Sequence, residues 1–286
     1  MHIRALIVPI ICSLFELIRR FFWAFLGFQE RDRYILKNLV KGRTMNTDVL
    51  AIGAHPDDLE LSCGGTIARL VKQGYRVALA DASRGELGTR GTKEIRLKEA
   101  EEAAHILGVV TRRNLQIPDG NVEVNKENIQ KMITLIRELR PTILIIPHGV
   151  ERHPDHVHTH QLCKEAWFYA GLRKLTTSYR GKKQEPHRPH HYFEFMQWHE
   201  FHPAFIVDIS DTYATKMNAI RAHSSQFFNP ASKEPETRLS SPTFLDTIET
   251  RCKYYGQKIG VMYGEPFLTQ FTIGVNDMFD VIVHKG

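Results

Sequence analysis

From Asp48 onward the chain alternates short, continuously apolar runs with longer stretches whose apolar residues return every three or four positions. The runs at 49–54, 75–82, 115–117 and 143–146 read as strands buried on both faces. Three helical patterns lie between them. Residues 61–73 carry Ile67, Leu70 and Val71 on one face and stop at Gly74, and residues 92–107 close at Gly108. Asn125 caps a third helix through Leu139, whose stripe is Ile129, Met132, Ile133, Ile136 and Leu139, with Pro141 beyond it. This alternation predicts βαβ units and an α/β, Rossmann-like fold: a mainly parallel sheet sandwiched by helices.

The second half is less regular. A helix is expected over 156–172, followed by a basic, Pro- and His-containing loop at 176–191 that is long enough to overhang a site at the strand ends. Residues 192–198 and 204–209 read as strands of a hairpin joined through 199–203, and helices over 211–226 and 242–257 flank a loop at 229–241. With no internal repeat or low-complexity tract, residues 45–286 are expected to form one domain.

Composition narrows the picture. The 286 residues are 42% hydrophobic and 24% charged, ordinary for a globular protein. The net charge of +6 sits mostly at one end: residues 1–44 hold eight Lys/Arg and three Asp/Glu, leaving 30 against 29 for the rest. A near-neutral body without a basic, aromatic-interleaved stripe lacks the footprint of a nucleic-acid binder. Within the first 44 residues, the apolar stretch 5–15 is too short to span a bilayer as a helix, and no clear cleavage site follows it. The segment reads as an N-terminal extension: an over-extended start, or a processed or disordered segment. An interfacial membrane anchor built on Arg4, Arg19, Arg20, Phe21, Phe22 and Trp23 is the alternative. Cys12, Cys63, Cys163 and Cys252 form no C-x-x-C pair, which points to buried thiols in a reducing, cytoplasmic setting.

Two clusters carry the chemistry. Ala54-His55-Pro56-Asp57-Asp58 follows the first strand, and His153-Pro154-Asp155-His156 follows the fourth, so both fall at strand carboxyl ends, where open α/β sheets place their sites. His55 and Asp58, three apart, can converge on one cation and leave Asp57 between them free to face the attacking water. Two imidazoles and a carboxylate with an open position make a hydrolytic metal site. The glycines at 64–65 and 85–91 match neither a P-loop nor a dinucleotide fingerprint, which argues against nucleotide binding.

The motifs AHPDD at 54–58 and HPDHxxxH at 153–160 resemble those of the PIG-L/LmbE-like family of zinc-dependent N-acetylglucosaminyl deacetylases. The segment 85–92, followed by Glu94-Ile95-Arg96, is most similar to the bacillithiol-biosynthesis branch, and the resemblance runs from about Met45 to the end. It implies an LmbE-like fold, with His55, Asp58 and His156 holding Zn²⁺, or Fe²⁺ in cells. Asp57 is then the general base, and His153 the acid or the oxyanion stabiliser. Asp155 holds a histidine's second nitrogen, caps the helix that follows, or does both. His160 is read as packing or as an outer partner of the site, and His148 and His158 as solvated. Glu86, Arg90, Arg96 and Asp119 are the sugar-conjugate contacts, with the arginines suited to an acidic aglycone. His223 and Gln226 resemble a late family segment near the pocket. The implied activity is deacetylation of N-acetyl-alpha-D-glucosaminyl L-malate by a homo-oligomer, commonly a hexamer. Other N-acetyl sugars, such as a chitin disaccharide or a lipid-linked sugar, and a non-catalytic sugar-binding protein are the alternatives.

Overall fold

The structure is a computed structural model that describes residues 46–278 and 281, so the expectations for residues 1–44 fall outside the described residues. The strands are β1 (Val49–Gly53), β2 (Val77–Asp81), β3 (Thr111–Asn114), β4 (Ile143–Pro147), β5 (Ser178–Tyr179), β6 (Lys182–Lys183), β7 (His191–Phe195), β8 (Phe205–Asp208) and β9 (Gly264–Leu268). The helices are α1 (Asp58–Lys72), α2 (Lys93–Leu107), α3 (Lys126–Leu139), α4 (Pro154–Tyr169), α5 (Tyr213–Ala222) and α6 (Phe244–Gln257).

Seven strands form one sheet in the order β3-β2-β1-β4-β7-β9-β8. The first five are parallel neighbours, and β9 runs antiparallel to both β7 and β8. Successive residues of β1 face opposite sides, and both sides are covered. Leu50 and Ile52 pack with Met132, Ile133 and Ile136 of α3 and Leu162 of α4, whereas Val49 and Ala51 pack with Leu59 and Ile67 of α1 and Ala103 of α2. Both faces of the central strands are therefore apolar, as a sandwiched parallel sheet requires.

Several expectations need correction. The third strand lies at Thr111–Asn114 rather than at 115–117. No 192–209 hairpin forms, because β9 inserts between β7 and β8. That strand begins Gly264-Glu265-Pro266, residue types depleted in strands, and so left no apolar run to read. The loop at 176–191 does not overhang the site. It carries the small β5–β6 ribbon and lies against α3, where Arg137 donates to Thr177 Oγ1 at 2.9 Å and Gln184 to Thr134 O at 2.9 Å.

Helix α1 is broken at Cys63 (φ −136°, ψ 18°), and distant side chains satisfy the backbone groups the break frees. Leu61 O accepts from Lys216 Nζ at 3.1 Å and Arg251 Nη2 at 2.8 Å. The N–H groups of Gly65 and Thr66 donate to the two oxygens of Glu265 at 3.0 and 2.7 Å, and Lys216 closes the set on Glu265 at 2.6 Å. The first turn of α1, which begins at Asp58, thereby takes a direction of its own, braced to the rest of the helix through Lys216 and Glu265. Among the described residues no helix is long and apolar enough to cross a membrane.

Candidate active site

The chain runs outward from β1 through β2 to β3, then returns to place β4 on the other side of β1. The carboxyl ends of β1 and β4 thus flank the point where strand order reverses, and the two sequence clusters meet there.

Asp58 folds its own turn. Its Oδ2 accepts from the N–H groups of Ala54 and His55, both at 2.9 Å, which leaves Oδ1 facing Gln197 Nε2 at 2.9 Å and His156 Nε2 at 3.3 Å. His55 Nδ1 lies 3.7 Å from Asp58 Oδ2, while its Nε2 lies 3.0 Å from Asp119 Oδ1 and 3.3 Å from Asp155 Oδ2. Those two carboxylates are fixed in turn: Leu87 N–H donates to Asp119 at 2.8 Å, and Gly120 N–H and Val122 N–H donate to Asp155 at 2.8 and 3.3 Å. Burial resists a charged His55 ring, but Asp119, Asp155 and Asp58 outweigh it and raise the imidazole well above its ordinary value. A ring held by carboxylates at one nitrogen, with the other turned inward, is the orientation that outer partners impose on a ligating histidine.

Two overlapping groups have ligating atoms within 4.8 Å of one another: His55, His153 and His156, and His55, Asp119 and Asp155. In the second group Asp119 and Asp155 both face His55 Nε2, at 3.0 and 3.3 Å, as a cradle for that ring. Around Asp58 the situation differs. Asp58 belongs to neither group, yet His55 Nδ1 and His156 Nε2 face its oxygens at 3.7 and 3.3 Å, and two neutral imidazole nitrogens with a carboxylate are donors that a divalent cation takes. His156 Nδ1 is buried without a hydrogen-bond partner among the described residues. The donor set of two imidazoles and a carboxylate fits a catalytic metal.

Asp57 stands next to this point with φ 112° and ψ −26°, a left-handed conformation that costs a non-glycine residue about 1–3 kcal/mol. Arg96 holds it there: Nη2 donates to Pro56 O at 2.8 Å and reaches Asp57 Oδ2 at 3.4 Å, and Nη1 donates to Gly85 O at 2.8 Å. Burial pushes the Asp57 carboxyl up to about 6, with Arg96 pulling against it and Asp58 adding to it. His153 caps α4, and its Nδ1 accepts from Asp155 N–H at 3.2 Å, so the neutral ring carries its proton on Nε2. Burial and the neighbouring imidazoles lower its affinity for a second proton. Asp155 is therefore the holder of His55 and not the helix cap.

A cavity of about 850 Å³ opens from these residues and extends toward Trp198, Phe244 and Tyr254. Arg96 and Asp119 line it, but both Arg96 Nη atoms are used on Gly85 O, Pro56 O and Asp57, and Asp119 is used on His55 and the Leu87 N–H. Glu86 and Arg90 do not line it. Glu86 accepts from Arg84 N–H and Asp119 N–H at 3.2 and 3.3 Å and so organises the turn, and Arg90 faces Glu234 at 3.6 Å. His160 is buried, with Nδ1 2.9 Å from Pro147 O, and stands apart from both ligating groups. His148 is bound to the buried Glu194 at 2.7 Å rather than solvated. Gln226 lines the cavity, while His223 is fully buried behind it, 3.5 Å from Glu60. Sequence reasoning missed Gln197, Glu151, Trp198 and Arg238. The first and third directly follow β7, a fifth parallel strand whose carboxyl end was a legitimate place to look.

A sequence profile of the PIG-L family, described as GlcNAc-PI de-N-acetylase, matches residues 50–167, the span that contains both clusters. The chain is 34% identical over 228 residues to the diacetylchitobiose deacetylase of Thermococcus kodakarensis, covering 76% of this chain and 80% of that one. It is 30% identical over 201 residues to the probable N-acetyl-alpha-D-glucosaminyl L-malate deacetylase 2 of Bacillus cereus, covering 64% and 84%. The solved structure of the conserved protein TT1542 from Thermus thermophilus superposes with a TM-score of 0.72 at 35% identity, over 80% of this chain and 97% of that one. With its two clusters, its sheet order and these relatives in agreement, the chain belongs to the PIG-L family of deacetylases.

Proposed function

We propose that this protein hydrolyses the N-acetyl group of an N-acetylglucosaminyl conjugate to acetate and the free amine. The observation that carries the reading is Asp57, a strained, buried carboxyl pushed up to about 6 beside converging imidazoles and a carboxylate. Such a group is matched to general-base work near neutral pH. Held by His55, Asp58 and His156, Zn²⁺, or Fe²⁺ in cells, would polarise the acetyl carbonyl and acidify the attacking water. Asp57 takes the proton from that water. His153 donates a hydrogen bond from Nε2–H to the tetrahedral oxygen, with its tautomer fixed by Asp155 N–H, and Asp57 passes the proton it took to the departing amine. Asp119 and Asp155 keep the His55 ring from turning.

N-acetyl-alpha-D-glucosaminyl L-malate is the proposed substrate, supported by the Bacillus cereus relative. The Thermococcus kodakarensis relative supports a second reading, deacetylation of a chitin disaccharide. The described cysteines are buried free thiols, in keeping with a cytoplasmic protein, and a homo-oligomer is the proposed assembly. The test is mass-spectrometric detection of free amine from both substrates, using full-length protein with and without chelation, beside Asp57→Ala. Chelator-sensitive release that is lost in the variant is expected. Release that survives both chelation and the substitution would sink the mechanism.

A further inference from the structure

Arg90 and Arg96, the arginines that the sequence offers for an acidic aglycone, are committed within the fold. Two other guanidiniums line the cavity. Arg152 and Arg238 both lie over the Trp198 indole, with Cζ 5.1 and 3.6 Å from the ring centroid, and all three residues line the cavity. Among the described residues neither guanidinium meets a carboxylate in an ion pair. Arg251 lines the cavity too but is used on the carbonyls of Leu61 and Gln197.

The platform is prebuilt. Glu151 Oε1 accepts from Trp198 N–H at 2.8 Å and His199 N–H at 3.2 Å, and its Oε2 accepts from Arg152 N–H at 3.1 Å. One buried carboxylate thus ties the loop before α4 to the loop after β7. Arg238 sits in a closed turn, where Thr237 N–H donates to Ser240 Oγ at 2.8 Å and Ser240 N–H donates back to Thr237 Oγ1 at 3.3 Å. A guanidinium stacked on an aromatic face keeps its N–H edge free for an oxyanion in its own plane. With the charge of Glu151 absorbed by three N–H groups, Glu200 is the other glutamate among the described residues that line the cavity. Arg152 directly precedes His153, and Asp57, His153, Arg152 and Arg238 line one cavity, which lets a single ligand reach both the reacting end and this pair.

We infer that Arg152 and Arg238, stacked on Trp198, form a subsite for an oxyanion, carboxylate or phosphate, on the aglycone, and that the enzyme selects anionic over neutral N-acetylglucosaminyl conjugates. The sugar end of this assignment rests on the deacetylase reading above.

The experiment is calorimetric titration of full-length, metal-loaded protein with three amine products that cannot turn over: glucosaminyl malate, glucosamine 1-phosphate and methyl glucosaminide. At least one anionic ligand is expected to bind about tenfold or more tighter than the neutral one, with the margin shrinking as salt rises. Whether the malate or the phosphate ligand carries the margin identifies the source of the oxyanion. The double variant Arg152→Gln/Arg238→Gln should lose the margin while the neutral ligand changes by less than about twofold, and Arg238→Glu should reverse part of it. These side chains are exposed, so the variants retain the fold. Equal wild-type affinity for all three ligands, or a margin untouched in the variants, overturns the subsite. Because binding is read without turnover, a failed deacetylation assay beside an intact margin would sink the proposed function and leave this subsite standing.

Discussion

Gln197 donates its side-chain N–H to Asp58 Oδ1 at 2.9 Å, across 139 residues of sequence. Arg251 holds the Gln197 carbonyl with one nitrogen and Leu61 O with another, so the break in α1 and the carboxylate it presents are braced by one guanidinium. Removing an outer hydrogen bond of this kind from a ligating carboxylate typically weakens metal affinity by about 10–100-fold. Gln197→Ala is expected to show that loss in competition against a chromogenic chelator, with the melting temperature of the metal-free protein nearly unchanged. Unaltered affinity would mean that Asp58 is oriented by its own turn alone.

Arg96 tests the base. As a carboxyl pushed up to about 6, Asp57 must lose its proton to act, so kcat/KM should rise with pH along a limb that reports its ionisation. Arg96 favours the charged form from 3.4 Å. Arg96→Met should therefore move that limb to higher pH and lower kcat by about 10²-fold, since Pro56 O and Gly85 O lose their shared donor as well. A drop in kcat with an unmoved limb would assign Arg96 to scaffolding only.

The two clusters were legible because each is local: a few consecutive residues after an apolar run specify both chemistry and position. What joins them was not. Asp119 reads as a sugar contact until the fold brings it to His55, and the carboxylate of Glu86 reads the same way until backbone N–H groups at 84 and 119 consume it. A sequence shows which polar groups exist and is silent on which are already paired. Arg137 makes the point from the core. It interrupts the apolar pattern of α3 as if exposed, yet it is buried and donates to the carbonyls of Ala170, Leu172 and Leu175 past the end of α4.

Beneath the site, Arg112 binds Glu60 at 2.6 Å and Asp81 through two bonds of 2.7 Å, all within the protein interior. Burial works against an ionised Glu60, but Arg112 and His223 prevail and hold it at about 2. Against an unfolded value of about 4.3, this depressed carboxyl contributes stability that is fully present above about pH 4.3 and is lost as pH falls through about 2. Burial pushes Asp81 the other way, so whole-protein acid titration would mix the two signs. Glu60→Gln isolates one of them. It is expected to cost about 3 kcal/mol near neutral pH, because Arg112 is left short of a charge, and the gap from wild type should narrow below about pH 4.3 and close as pH approaches about 2. Urea unfolding at several pH values measures it, and a gap independent of pH would mean that Glu60 is not ionised in the folded protein.

Gly65 lies just past the break in α1, where a Cβ would come within 2.7, 2.8 and 2.9 Å of three Ile209 side-chain atoms. Helix propensity alone favours Gly65→Ala by about 1 kcal/mol. The overlap should win, because forcing one carbon into a filled core costs about 1–3 kcal/mol, and Ile209 is fully buried between α5 and α6 with Ile220 and Ile248. Ile209→Ala alone should cost about 2–5 kcal/mol through the cavity it leaves. If the two sites oppose each other directly, the double variant will be more stable than the sum of the single losses by about 1 kcal/mol or more, as denaturant unfolding of all four proteins would show. Activity adds a second reading. Gly65 N–H is held by Glu265, so a displaced Gly65 pulls on the first turn of α1 and on Asp58. The kcat lost in Gly65→Ala should then return in the double variant. Additive stability losses with unrecovered kcat would separate Gly65 from Ile209 and leave the Glu265 carboxylate as the reason the break sits where it does.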